Sequence, residues 1–314
     1  MVCPLCKKSR THILTRVLRD GSKGDVHFCP VCELGILNGK DTEQELKKFY
    51  AQEYRKKRTL TSYAEPERLF NIYSKFQSDR LRLLKPYFSK KKRLLEVGCS
   101  AGMFLFHAKK HVKEVVGIDY DESSAHYAAK KCGCTVYTTE ISKTPLTKHS
   151  FDSIVAFQTL EHVRDPEAFI TELTEYLAPG GVIAIEVPNL YDVLAHVYDL
   201  PHHWKFFYHR AHLWYFTQKS LESLMKKCGV RGKTHHIQDY NVMNHIHWVL
   251  RDEPQSTGVP GLSAPVFPFK QGAPTKTQRA LSHFITTADA EYKKLLADHH
   301  ITSNILFIGK KKHV

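Results

Sequence analysis

The chain has 314 residues, 42% of them hydrophobic and 25% charged, with a net charge of +14 at neutral pH. That apolar content suffices for a packed core and excludes a globally disordered chain, and the length fits one full domain plus an appendage. No apolar run approaches the roughly 18 residues that a bilayer-spanning helix needs. The opening Met1-Val-Cys-Pro-Leu-Cys6 carries no signal-peptide pattern, so a cytoplasmic location is expected.

Residues 1–38 hold Cys3-Pro-Leu-Cys6 and Cys29-Pro-Val-Cys32, two C-x-x-C pairs with 22 residues between them. This is close to zinc-ribbon spacing, in which four thiolates converge on one tetrahedral ion. Four protein ligands leave no open coordination position, so the metal is expected to be structural. A reducing compartment argues against disulfides, and a segment too small for its own core would draw its folding energy from the metal. Cys99, Cys132, Cys134 and Cys228 lack a partner spacing and read as small buried hydrophobes.

Residues 39–92 read as a helical, basic segment. Residues 40–93 hold 16 Lys/Arg against 7 Asp/Glu, a net +9, densest at Arg55–Arg58 and Lys90–Arg93. Such charge marks either solvated helix faces or a site for RNA, anionic lipid or a phosphorylated substrate. Helices are predicted over 41–58 and 65–88, the latter with an apolar stripe of Phe70, Tyr73, Phe76, Leu81 and Leu84.

From residue 93 to 314 strands and helices alternate, which predicts a parallel sheet with helical crossovers. Strands are expected near 93–97, 114–118, 134–138, 151–157, 181–187, 233–240 and 303–309. Helices are expected near 102–111, 122–132, 166–178 and 218–228, with Asp165 and Thr217 as caps. Residues 252–275 carry five prolines, and so long an irregular insert is read as a substrate-facing lid or a subunit contact.

The stretch Leu94-Leu-Glu-Val-Gly-Cys-Ser-Ala-Gly-Met-Phe104 is the most informative. A strand runs into Glu96, then Gly98 and Gly102, and opens a helix, so a ligand can approach bare backbone. Ser100 stands where a dinucleotide fingerprint has its middle glycine, which counts against a pyrophosphate. Asp119 ends the next strand 21 residues after Gly98, the distance at which an acid binds ribose hydroxyls. A nucleoside ligand is therefore expected.

With Phe151-Asp-Ser-Ile-Val, Leu160-Glu-His-Val-Arg-Asp-Pro166, Leu177-Ala-Pro-Gly-Gly181 and Val187-Pro-Asn189, these motifs resemble those of class I S-adenosylmethionine-dependent methyltransferases. The resemblance covers roughly residues 90–230. It implies an α/β, Rossmann-like fold: a seven-stranded, mostly parallel sheet with helices on both faces, here with the small zinc module in front. It also implies S-adenosylmethionine as cofactor. Glu96, Gly98, Cys99, Ser100 and Gly102 would cradle its methionine part, Asp119 and Tyr120 its ribose, and Glu140 its adenine, with Gln158 lining the pocket.

Acceptor residues are expected in loops at the carboxyl ends of the strands. One candidate is Gln158-Thr-Leu-Glu161-His162. Ubiquinone-type O-methyltransferases, which this segment resembles, carry a first acid where this chain has Gln158 and bind a divalent ion there. An active-site metal is therefore not expected, and Glu161 and His162 either brace the turn or take part in catalysis. The other candidate is the histidine- and aromatic-rich segment 201–216. Histidine can accept a proton near neutrality, so His212, then His209, is expected as base, with Tyr208 orienting the acceptor. The segment around Asn244–Trp248 and the residues after it resemble surface-polysaccharide and natural-product methyltransferases, which implies a small-molecule or glycan-type acceptor. Two alternatives stand beside this: an RNA methyltransferase that binds through the zinc module and basic segment, and a non-catalytic binding protein of the same fold.

Overall fold

The computed structural model describes residues 1–8, 10–39 and 65–312. The predicted helix 41–58 and the Arg55–Arg58 run lie outside them. The chain opens with an antiparallel meander of β1 (His12–Val17), β2 (Lys23–Cys29) and β3 (Leu34–Leu37), and the second cysteine pair forms the turn between β2 and β3.

The predicted helix 65–88 is broken in two, α1 (Pro66–Tyr73) and α2 (Ser78–Leu84), with short 3-10 turns after each. At Gln77 the backbone leaves the helical region while its side-chain amide donates to the Tyr73 carbonyl (3.0 Å). Pro86, which has no N–H to donate, sits in the turn after α2.

The next elements follow the expected alternation: β4 (Arg93–Val97), α3 (Met103–Ala108), β5 (Glu114–Ile118), α4 (Glu122–Cys132), β6 (Thr135–Tyr137), β7 (Phe151–Phe157), α5 (Pro166–Tyr176) and β8 (Leu177–Pro188). Then come α6 (Val193–His196), α7 (Pro201–Phe207), β9 (Trp214–Tyr215), α8 (Gln218–Lys227), β10 (Val230–Ile237), α9 (Val242–Arg251), α10 (Val259–Leu262), α11 (Thr275–Asp298) and β11 (Asn304–Lys311). Asp165 caps α5 through the Ala168 N–H (2.9 Å), and Thr217 caps α8 in a reciprocal pair with Ser220, as the sequence predicts.

Seven strands form one sheet in the order β10-β11-β8-β7-β4-β5-β6, parallel except for β11, which runs against both of its neighbours. The central strands are apolar on both sides because helices cover both faces. Leu94, Leu95, Ile154, Val155, Ile183 and Ile185 are completely buried. At about 1.5–3 kcal/mol for each such side chain, this row dominates the stabilisation of the sheet.

Two features were not predicted. First, β9 adds to the N-terminal meander, making a second sheet in the order β1-β2-β3-β9 with Gly35 opposite Tyr215 and Ile36 opposite Trp214. Gly35 permits this contact, since a Cβ there would lie 2.8 Å from that of Tyr215. The cysteine-bearing module is thus hydrogen-bonded to the histidine-rich segment. Second, the Pro-rich insert is partly ordered. The Asn241 side chain donates to the carbonyls of Pro260 and Ser263 (both 2.8 Å), which pins α10 against the start of α9. α11 begins at Thr275 directly after the insert, and the Asp289 carboxylate accepts from the Val242 N–H (2.7 Å). Among the described residues, no helix is long and apolar enough to cross a membrane.

Candidate active site

The glycine turn after β4 has the geometry that a bare-backbone approach needs. Gly98 (φ +78°) and Gly102 (φ +80°) both occupy the left-handed region. A Cβ on Gly98 would meet Thr159 Oγ1 at 2.2 Å, and one on Gly102 would meet Cys132 Sγ at 2.8 Å. Cys99 is buried, with its sulfur against Gly117, where a Cβ would meet it at 2.8 Å. Burial and the nearby Asp119 push its thiol well up, which suits a packing residue.

Asp119 follows β5 and ties the turn together. One carboxylate oxygen accepts the Ser100 N–H (2.7 Å) and the other the Asp121 N–H (2.9 Å). Tyr120 beside it is exposed. Glu140 lies just past β6 and pairs with Lys143 at 2.7 Å. These residues therefore line one end of the sheet in the order the sequence predicts.

Glu96 is 4% exposed, and its Oε2 has no hydrogen-bond partner among the described residues. Burial pushes its carboxyl well up, Arg80 pulls it down, and Asp119 adds to the rise. Arg80, Glu186 and Asp239 complete this charged edge and were missed in the sequence. Arg80 Nε donates to Glu186 Oε2 (2.9 Å), its guanidinium makes a second bond to Glu186 Oε1, and it lies over the Phe157 ring. Asp239 is pushed up to about 7 by burial and by Glu186, against the pull of Arg80. Gln158 (φ +51°) joins the same network and donates to Glu186 and Asn304 (both 3.1 Å). One signal was available: Glu186 is an acid inside the apolar run Val182–Val187, where burial demands a partner.

The histidine cluster adjoins the glycine turn through Thr159, which packs under Gly98 and precedes the 3-10 turn Leu160–His162. Glu161 is buried at 1% exposure, and both His162 Nε2 and His212 Nε2 lie 3.8 Å from its Oε1. His162 Nδ1 donates to the Ala211 carbonyl (2.8 Å), which leaves Nε2 turned toward Glu161. The His209 and His212 rings lie 3.6 Å apart, centroid to centroid. The ligand atoms of Glu161, His162 and His212 all fall within 4.8 Å of one another, close enough to hold a divalent ion. Gln158 is not among the three, and His212, from the histidine-rich segment far along the chain, stands beside Glu161 instead.

Tyr208 departs from its expected role. It is fully buried among Trp204, Phe207 and Tyr215, and its hydroxyl has no partner among the described residues. Burial pushes that hydroxyl far above its usual range. The Tyr208 carbonyl accepts the Arg19 N–H (2.7 Å) from beyond β1, and the ring packs with Leu18, Val26 and Leu37 of the meander.

At the other end, Cys3 Sγ lies 3.4 Å from Cys32 Sγ, and Cys6 Sγ lies 3.5 Å from Cys29 Sγ. All four sulfurs are within 4.8 Å of one another, the clustering that a tetrahedral ion with Zn–S bonds of about 2.3 Å requires. Next to them, Glu33 accepts at its carbonyl from Thr217 Oγ1 (3.1 Å) and pairs through its side chain with Lys219 (2.9 Å).

A glycine turn, a ribose-type acid and a carboxylate-rich edge at the ends of parallel strands define a nucleoside-binding α/β protein of the class I methyltransferase type. The sequence profile of the methyltransferase-domain family matches residues 67–233, and the chain belongs to that family. A probable S-adenosylmethionine-dependent methyltransferase of Mycolicibacterium smegmatis is 34% identical over 97 residues, which is 31% of this chain and 38% of that protein. A ubiquinone biosynthesis O-methyltransferase of Dinoroseobacter shibae is 29% identical over 102 residues, 31% of this chain and 41% of that one. The chain thus spans about two fifths of the length of these relatives. In three dimensions it shares the fold of a SAM-dependent methyltransferase from Archaeoglobus fulgidus, with a TM-score of 0.51 at 19% identity over 80% of this chain and 100% of that one.

The residues present fit S-adenosylmethionine. Among the described residues, the buried carboxyl groups of Glu96, Glu186 and Asp239 gather about Arg80. A ligand with a sulfonium and an ammonium would add positive charge there, and among the described residues Glu96 Oε2 has no donor.

Proposed function

We propose that this protein transfers a methyl group from S-adenosylmethionine to a small-molecule or glycan-type acceptor, and that a zinc ion held by Cys3, Cys6, Cys29 and Cys32 fixes its N-terminal module. S-adenosylmethionine supplies a methyl group already activated on a sulfonium. The chain's own tasks are to hold the nucleoside at Asp119, to orient the methionine part between the glycine turn and Glu96, and to take a proton from the acceptor. For that proton we assign His212, with His162 and Glu161 beside it. The observation that carries the reading is the juxtaposition of Thr159 under Gly98 with the Glu161–His162–His212 cluster that follows it. A base there stands next to the methyl donor, as an in-line transfer needs.

The same cluster supports a second reading, in which Glu161, His162 and His212 hold a divalent ion that orients the acceptor. One experiment addresses both. The protein is incubated with methyl-labelled S-adenosylmethionine and fractionated extract, with and without nuclease and with and without chelator, and the label is followed. Nuclease-resistant labelling of a small acceptor is expected, abolished in His212→Ala while cofactor binding persists. Labelling that vanishes with nuclease would replace the reading by an RNA acceptor, and full turnover by His212→Ala would remove that residue from it.

A further inference from the structure

The net charge of +14 is not spread evenly. At the carboxyl edge of the seven-stranded sheet stand the acids Glu96, Asp119, Glu186 and Asp239. At the opposite, amino edge, loops far apart in sequence each deliver exposed lysines. Lys90 and Lys91 enter β4, Lys113 enters β5, and Lys131 ends α4 just before β6. β11 runs the other way, so Lys310 and Lys311 end at this same edge, and Lys311 pairs with Val230 at the start of β10. The loops adjoin: the Lys113 N–H donates to the Lys92 carbonyl (2.8 Å). Carboxylates nearby are already engaged, Glu114 with Arg93 at 2.6 Å and Glu175 with Lys148 at 2.7 Å. The sequence shows only part of this, because the convergence is made by the sheet.

The chemistry of the edge selects its partner. Among the described residues, none of the exposed large hydrophobics lies in these loops, and Tyr87 and Phe88 beside Lys90 are half-buried. Those residues offer no fully exposed apolar wedge for a bilayer or aromatic platform for unpaired bases. Lysines act as point charges with no bidentate readout, which suits a regular phosphate array without sequence preference. Seven strands at about 4.8 Å spacing give a strip roughly 29 Å across. We propose that this amino edge docks the phosphate backbone of a double-stranded nucleic acid. A duplex held there is separated from the methyl-transfer edge by the length of the strands, roughly 20 Å. It would anchor the protein without being the acceptor, so the proposal stands or falls apart from the choice of acceptor.

The test uses the full chain and measures anisotropy of labelled two-turn RNA and DNA duplexes over rising salt from about 50 mM. Vesicles of phosphatidylcholine with phosphatidylglycerol are assayed in parallel by co-sedimentation. The edge variant carries Lys90→Glu, Lys91→Glu, Lys310→Glu and Lys311→Glu. A control of identical net charge carries Lys23→Glu, Lys270→Glu, Lys276→Glu and Lys294→Glu, and a second edge variant carries Lys113→Glu with Lys131→Glu. Variants are compared at matched thermal melts.

Micromolar or tighter duplex binding is expected for the native chain. The fourfold edge variant should lose about tenfold or more in affinity, and its slope of log affinity against log salt should fall by about two to four units. The control should lose much less. Equal losses in both, no duplex binding at low salt, or vesicle binding without duplex binding would each overturn the proposal.

Discussion

Replacing Gly98 by alanine tests the geometry of the glycine turn. At φ +78° a side chain costs about 1–2 kcal/mol in left-handed backbone strain. The new Cβ would also lie 2.2 Å from Thr159 Oγ1 and 3.1 Å from its Cγ2, and relieving such overpacking costs about 1–3 kcal/mol. Thr159 cannot turn away cheaply, because its hydroxyl donates to the Phe157 carbonyl at 3.0 Å. Gly98→Ala should therefore lose about 2–5 kcal/mol, a fall in Tm of about 4–20 °C. Cofactor affinity should fall as well, because the turn that faces the ligand must shift. The two costs can be separated. Adding Thr159→Ala to Gly98→Ala removes Oγ1 and Cγ2 and should recover about 1–2 kcal/mol, leaving the backbone strain. Adding Thr159→Ser keeps the offending oxygen and should recover little. Urea unfolding of the single and double variants, with calorimetric titration of S-adenosylmethionine, measures all of this. A Gly98→Ala loss below about 1 kcal/mol, or no recovery with Thr159→Ala, would refute the packing argument.

Two further outcomes are expected. Stripping zinc with a chelator should release β3 from β9 and raise hydrogen exchange across residues 208–217 while cofactor affinity persists, and unchanged exchange there would show that the metal does not brace the histidine segment. His245 is held neutral: its Nε2 faces the Gln238 amide, whose carbonyl is committed to the Ser303 N–H, and its Nδ1 lies 2.8 Å from the Tyr292 hydroxyl. Burial therefore lowers it to about 3 from the ordinary 6.5, so the unfolded chain binds the proton more tightly. The stability tied to neutral His245 should be complete above pH 6.5 and decline as the pH falls from there towards 3. Melting curves of His245→Gln should show a shallower acid decline than the native chain, and identical slopes would count against this assignment.

The alternation of apolar strands with capped helices, the glycines at 98 and 102, the acid at 119 and the paired C-x-x-C motifs were all legible in the sequence. Each is encoded locally, by periodicity or by a residue type that one backbone conformation demands. Helix and strand boundaries were less secure. β10 starts at Val230 because it pairs with Lys311 of β11 there. The charged edge was only partly legible, because Arg80, Glu186 and Asp239 are brought together from separate elements. Tyr208 and His212, four residues apart, meet different surroundings. The first is bonded to Arg19 and packs on the meander, while Glu161 stands beside the second. The sequence by itself determined the fold class, the cofactor-type turn and the cysteine site, because those depend on near neighbours in the chain. Only the tertiary structure joined the cysteine module to the histidine segment, set His212 beside Glu161 and gathered the lysines on one edge, because those contacts depend on how distant strands pair.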